Sequence, residues 1–168
     1  MCVDTGDLLY LLPFLPLLGR SAIIAGFVPL QNDILSDEEH DREGYRAHIL
    51  ALAGLSFIGV SAFAVVETTL KTGLSWAINY FLLSFFAYMF SLNLVYVKGR
   101  RWEDQLATAL SEMGTLSLFL ALIATLRATQ SNAAVLMAGV ATFVWVMDHG
   151  YRIYLDWSHQ SKLLKLRK

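Results

Sequence analysis

Ionisable side chains within apolar stretches are the residues of this chain best suited to chemistry. Five groups meet that description, namely Arg20, Glu67, Glu112, Asp148 and His149. A charged group at the centre of a bilayer costs about 2.5 to 3.5 kcal/mol on insertion scales, so it needs a charged partner or water. Each of the five therefore indicates either an ion pair or a polar site.

Local partners distinguish three of these groups. Glu67 lies four residues before Lys71, which is the spacing of an ion pair on one helix face. Asp148 precedes Arg152 by the same distance. Glu112 has no basic residue within one turn of its own helix. Glu112 is therefore the acidic residue that most needs a partner from elsewhere in the fold.

Hydroxyl side chains accompany Glu112 on one helix face. They are Thr108, Ser111 and Thr115. Such a stripe suits a helix interface or a water-filled cavity. Asp148 and His149 fall on the next helix at an overlapping depth, so a Glu, Asp and His cluster there would suit a cation site, a proton relay or a metal site. The preceding helix adds a second polar set, Ser84, Ser91 and Asn93. The spacing matches no metal-ligand motif, and we expect no metal and no cofactor.

Four apolar runs must position these side chains, at 47–70, 76–97, 106–126 and 133–151. Each has about the 20 residues that a helix needs to cross a bilayer. The composition, with 56% hydrophobic and 16% charged residues, is that of a membrane protein. Because the connections are short, neighbouring helices must run antiparallel. The sequence predicts an all-α polytopic membrane protein, an antiparallel bundle of four transmembrane helices.

An N-terminal hydrophobic segment, 1–30, precedes the bundle. Its apolar part carries Pro13, Pro16 and Pro29, with Gly19 and Arg20 near the middle. Proline disfavours a helix interior, so we expect a kinked span or a re-entrant segment that is broken at Gly19 and Arg20. Arg20 should meet a carboxylate, with Glu112 as the first candidate and Glu67 as the second.

Two charged segments flank the bundle of residues 47–151. The acidic stretch 31–46 has Ser36 and Glu39 at capping-box spacing, which predicts a cytoplasmic linker or an extension of the next helix. The basic tail is 152–168. Ten of the 13 Lys and Arg residues fall on one side of the alternating spans, against Lys71 and Arg127 on the other. The positive-inside rule then predicts a cytoplasmic C-terminus.

Three functions are compatible with these features. The first is a small homo-oligomeric channel or pore-forming effector, lined by the polar side chains above and conducting cations or small solutes. The alternative is a non-catalytic anchor or regulatory subunit that binds a cytoplasmic protein through 31–46. The third is a membrane enzyme acting on a lipid-like substrate through Glu112, Asp148 and His149. An enzyme is least favoured because no catalytic motif occurs. We expect contact with the bilayer and self-association, and no nucleic acid, since 13 basic residues balance 14 acidic ones.

Overall fold

The computed structural model describes residues 11–33, 39–67, 75–96, 99–128 and 132–167, and within them not the side chains of 39–42, 64–67 and 96. These ranges contain helices and no strand. The helices are α1 (Leu15–Gly26), α2 (Val28–Gln31), α3 (Glu39–Glu67), α4 (Ser75–Tyr96), α5 (Arg101–Ala128) and α6 (Asn132–Leu166). A short 3-10 turn, Leu12–Phe14, leads into α1.

Helices α3 to α6 are long and apolar enough to cross a membrane. They begin and end near the four apolar runs, so the prediction of an all-α bundle with four candidate spans is confirmed. Helix α3 starts in the acidic stretch and runs through Gly44 without interruption. The predicted cap at Ser36 lies outside the described residues.

The N-terminal segment is broken, but not where the sequence predicts. Helix α1 continues through Gly19 and Arg20 and ends at Gly26, before Phe27, whose backbone angles, φ −127° and ψ 37°, are not helical. The expected break at Gly19 and Arg20 is therefore wrong. The prolines at positions 13, 16 and 29 occupy the first turns of the three helical pieces, where a missing N–H costs no hydrogen bond.

Helix α1 is too short to cross a bilayer. Its 12 residues extend about 18 Å at 1.5 Å per residue, against a hydrocarbon core of about 30 Å. Gly19 lies against α6, because a Cβ there would be 3.2 Å from Ile153 Cδ1. A larger residue at position 19 would hold α1 away from α6.

The basic tail continues helix α6 as far as Leu166. The helix has 35 residues, about 52 Å, and neither glycine nor proline interrupts its last four turns. This part of α6 packs under the N-terminal segment. Ile23, Phe27 and Leu30 form a buried cluster there, against Ile153, Leu163 and Leu164 of α6.

Helix α5 is the central element of the bundle. It packs against α4 over most of its length and also contacts α1 and α6, whereas α3 packs against α4. The α4 and α5 interface buries Ala77, Tyr80, Phe81, Leu118 and Ala121. A second cluster joins α3 to α4 through Ile49, Ala53, Tyr88 and Leu92. The site described below is thus built around the best-packed helix.

Two glycines of α3 give a matched test of this packing. A Cβ at Gly59 would lie 2.6 Å from the ring of the buried Phe81, whereas a Cβ at Gly54 would meet no atom within 4 Å. Alanine gains about 1 kcal/mol of helix propensity at either position. The clash at Gly59 should cost about 1 to 3 kcal/mol. We expect Gly59→Ala to lower the melting temperature in detergent and Gly54→Ala to maintain or raise it. Equal melting temperatures would contradict the packing of α3 on α4.

Candidate functional site

The side chain of Arg20 on α1 donates hydrogen bonds to three other side chains. It is only 5% exposed. Its Nη2 donates to Oε1 of Glu112 on α5 at 2.7 Å, and its Nε donates to Oε2 of the same carboxylate at 3.4 Å. A guanidinium that meets a carboxylate with two donors forms one of the stronger hydrogen-bonded ion pairs in proteins.

Two further partners complete the cluster, which we call the Arg20 cluster. Nη1 of Arg20 donates to Oε1 of Gln105 at 2.8 Å. The same nitrogen donates to the carboxylate of Asp156 on α6. One side chain therefore joins the short helix α1 to two of the long helices, α5 and α6.

Exposure differs between the two carboxylates of the Arg20 cluster. The side chain of Glu112 is 6% exposed and that of Asp156 is 42% exposed. A buried carboxylate without its cation would carry a desolvation cost of several kcal/mol. Because both oxygens of Glu112 accept from Arg20, this carboxylate is already occupied. It is poorly placed to bind a second cation or to serve as a free base.

The structure thus brings Arg20 to Glu112, the first of the two partners expected from the sequence. Glu67 is the last residue of α3, and its side chain lies outside the described part of the chain.

Asp148 and His149 do not join the Arg20 cluster. Asp148 accepts from Nε of Arg152 at 2.8 Å, in a pair on the exposed side of α6. The imidazole of His149 stacks on the indole of Trp145 with centroids 3.8 Å apart. Among the residues that the structure describes, no group of three or more His, Cys, Asp or Glu side chains could hold a metal ion. Glu112 is therefore bonded within the Arg20 cluster, whereas Asp148 Oδ2 and His149 Nδ1 lie 3.8 Å apart on α6.

Hydroxyl groups that the sequence proposed for a polar interior form hydrogen bonds between helices. The hydroxyl of Ser84 lies 2.9 Å from that of Ser56, which joins α4 to α3. Ser91 Oγ donates to the carbonyl oxygen of Ala107 at 2.7 Å. The remaining pair, Tyr88 Oη and Thr115 Oγ1, is 2.9 Å apart and also joins α4 to α5.

The other three candidates of the polar interior are more peripheral. Thr108 Oγ1 donates to the backbone carbonyl of Asp104 at 2.9 Å, one turn earlier in α5. Ser111 is partly buried and Asn93 is exposed.

Gln105, Asp156 and Gln160 were missed by reasoning from the sequence. Asp156 and Gln160 lie in the tail, beyond the last predicted span. The signal for these two residues is their spacing along α6. The less exposed residues of this helix recur three or four positions apart, as Trp145, His149, Ile153, Asp156 and Gln160. This pattern continues past the apolar run, which indicates that the helix does too.

No protein-family model, curated protein or solved structure matches the chain. The arrangement of its own residues is therefore the basis for any functional proposal.

Two arginines of this chain give a direct test of the Arg20 cluster. Replacement of Arg20 by Met leaves the Glu112 carboxylate buried without a cation, which should destabilise the fold by about 3 to 5 kcal/mol. Arg152→Met removes an exposed pair with Asp148 and should cost less than about 1 kcal/mol. Thermal unfolding in detergent, read by circular dichroism, measures both. Similar melting temperatures for the two variants would mean that Arg20 has no special role in stability.

Proposed function

We propose that this chain is a non-catalytic membrane subunit that anchors or regulates a larger membrane complex. The observation that carries this proposal is the use of the polar groups inside the bundle. Arg20, Glu112 and Gln105 bond to one another, and the hydroxyls of Ser84, Ser91 and Thr115 bond across helix interfaces. These groups stabilise the protein, so its function is better sought at its surfaces.

The end of the N-terminal segment is bonded to the end of α6, on the side of the bundle that we propose is cytoplasmic. Nε2 of Gln31 donates to Oε1 of Gln160 at 2.7 Å, and both side chains are buried. Nη1 of Arg167 donates to the carbonyl oxygen of Pro29 at 3.0 Å and to Asp33 Oδ1 at 3.3 Å. Hydrogen bonds to α6 therefore fix the start of the acidic stretch 31–46. Because this stretch is acidic, it would suit the docking of a protein partner with a basic surface.

A homo-oligomeric cation channel receives less support. A ring of acidic side chains would favour cations, but Glu112 is neutralised by Arg20 within one copy of the bundle. Ser84, Ser91 and Thr115 would also have to exchange their present hydrogen bonds for water. A channel stays a prediction that ion-flux measurements can distinguish from a subunit.

Affinity purification from native membranes under mild detergent is the test of the subunit proposal. We expect a second protein at fixed stoichiometry, and we expect its loss when Asp37, Glu38, Glu39 and Asp41 are changed to the corresponding amides. The matched control changes Lys162 and Lys165 to Gln, which alters the tail and leaves the acidic stretch intact. Recovery of this chain alone, together with cation flux through liposomes that contain it, would contradict the proposal and favour the channel.

We also propose that the C-terminus lies in the cytoplasm, because ten basic residues fall on that side of the alternating spans. A protease-cleavable tag after Lys168 should be cut in inside-out vesicles and protected in right-side-out vesicles. A tag inserted after Lys71 serves as the control and should show the opposite pattern. Cleavage of the C-terminal tag in right-side-out vesicles would reverse the assigned orientation.

A further inference from the structure

A small apolar cavity lies where α1, α5 and α6 meet. Its volume is about 120 Å³, and Leu15 and Pro16 of α1 form one wall. Leu116 of α5 and the α6 residues Trp145, His149 and Gly150 form much of the rest. Leu116 lies near the middle of the apolar run 106–126, so the cavity is within the apolar part of the bundle.

The imidazole of His149 gives this cavity one polar feature. Nδ1 of His149 is 3.0 Å from the backbone carbonyl oxygen of Trp145. A carbonyl only accepts, so Nδ1 carries the hydrogen, and in the neutral ring Nε2 retains a lone pair. Stacking on Trp145 fixes the plane of the ring. Within the described ranges, Nε2 has no hydrogen-bond partner.

We propose that this cavity binds the ring of a lipid-soluble phenol or quinol, whose hydroxyl donates to Nε2 of His149. The hydrocarbon tail of the molecule leaves through the open side of the cavity into the bilayer. An apolar cavity of about 150 Å³ in another protein stays dry and binds benzene, so a volume near 120 Å³ suits a single ring in a tight site. This binding activity is additional to the role of a membrane subunit and does not depend on it.

Two other occupants meet only one of the two requirements of the site, which are an apolar group that fills the cavity and a hydrogen-bond donor for Nε2. A lipid acyl chain fills the apolar space but leaves Nε2 without a donor, and an unpaired polar group in hydrocarbon is costly. A water molecule donates to Nε2, but a stable buried water needs two to four polar partners, and the rest of the lining is apolar. A phenol meets both requirements, because its ring fills the cavity and its hydroxyl donates to Nε2.

Photolabelling with an alkylphenol that carries a diazirine in its alkyl chain tests the proposal on the full chain in nanodiscs. We expect labelling of peptides that line the cavity, including the stretch of α6 around Trp145. Unlabelled 4-butylphenol should compete, and its methyl ether, which cannot donate, should compete about threefold to tenfold less well, the factor for one net hydrogen bond. Equal competition by phenol and ether would overturn the role of His149.

Three variants locate the site. Gly150→Leu adds a bulky side chain at a residue that lines the cavity and should abolish labelling, and a Cβ at Gly150 meets no atom within 4 Å, so the fold need not be disturbed. Gly139→Leu is the matched control, because it is equally open, lies on the same helix and does not line the cavity. His149→Phe retains a ring beside Trp145, so labelling should persist while the preference for phenol over ether disappears. Labelling of Gly150→Leu at the level of Gly139→Leu would overturn the proposal.

Discussion

The guanidinium of Arg20 is buried among helices, and a buried guanidinium is tolerated only when its donors meet acceptors. Those acceptors come from Glu112 and Gln105 on α5 and from Asp156 on α6. This requirement fixes how α1 lies against both long helices. The close approach of Gly19 to Ile153 lets α1 reach that position, and the continuation of α6 past its apolar run supplies Asp156. Helix α1 is therefore part of the bundle, although its 12 residues are too few to span a membrane.

Elsewhere in the bundle, side-chain hydrogen bonds also hold neighbouring helices together. Lipid is as apolar as leucine, so helices in a membrane gain little from burial against one another and depend on close packing and polar contacts. The pair of Ser56 and Ser84 joins α3 to α4, and the pair of Tyr88 and Thr115 joins α4 to α5. Ser84, Ser91 and Thr115, which in the sequence resemble the lining of a pore, therefore join helices of the bundle. His149 is an exception, because its Nε2 faces no partner among the described residues and lies beside an apolar cavity.

The sequence predicts the long helices well because each apolar run has about the 20 residues of a transmembrane helix, twice the length of a transmembrane strand. It also indicates the contact of Arg20 with Glu112, since Glu112 lacks a cation on its own helix. The break in the N-terminal segment lies at Phe27 rather than at Gly19 and Arg20, because the effect of a proline depends on where its helix begins. Asp156 and Gln160 are missed because they lie beyond the apolar run 133–151, in the basic tail. The cavity depends on the spacing between three helices, which no single stretch of sequence specifies.

A double-mutant cycle on Arg20 and Glu112 tests most directly the claim that these two residues act as one unit. The single variant Arg20→Met leaves the Glu112 carboxylate buried without a cation, whereas Glu112→Met leaves Arg20 with Gln105 and Asp156 as its remaining partners. The double variant replaces the pair by apolar side chains. The cycle compares the free energies of unfolding in detergent of the wild type, the two single variants and the double variant. We predict that the double variant is more stable than Arg20→Met alone, with a coupling of about 1 to 3 kcal/mol. Additive losses of stability would contradict the account, because they would mean that Arg20 and Glu112 contribute independently.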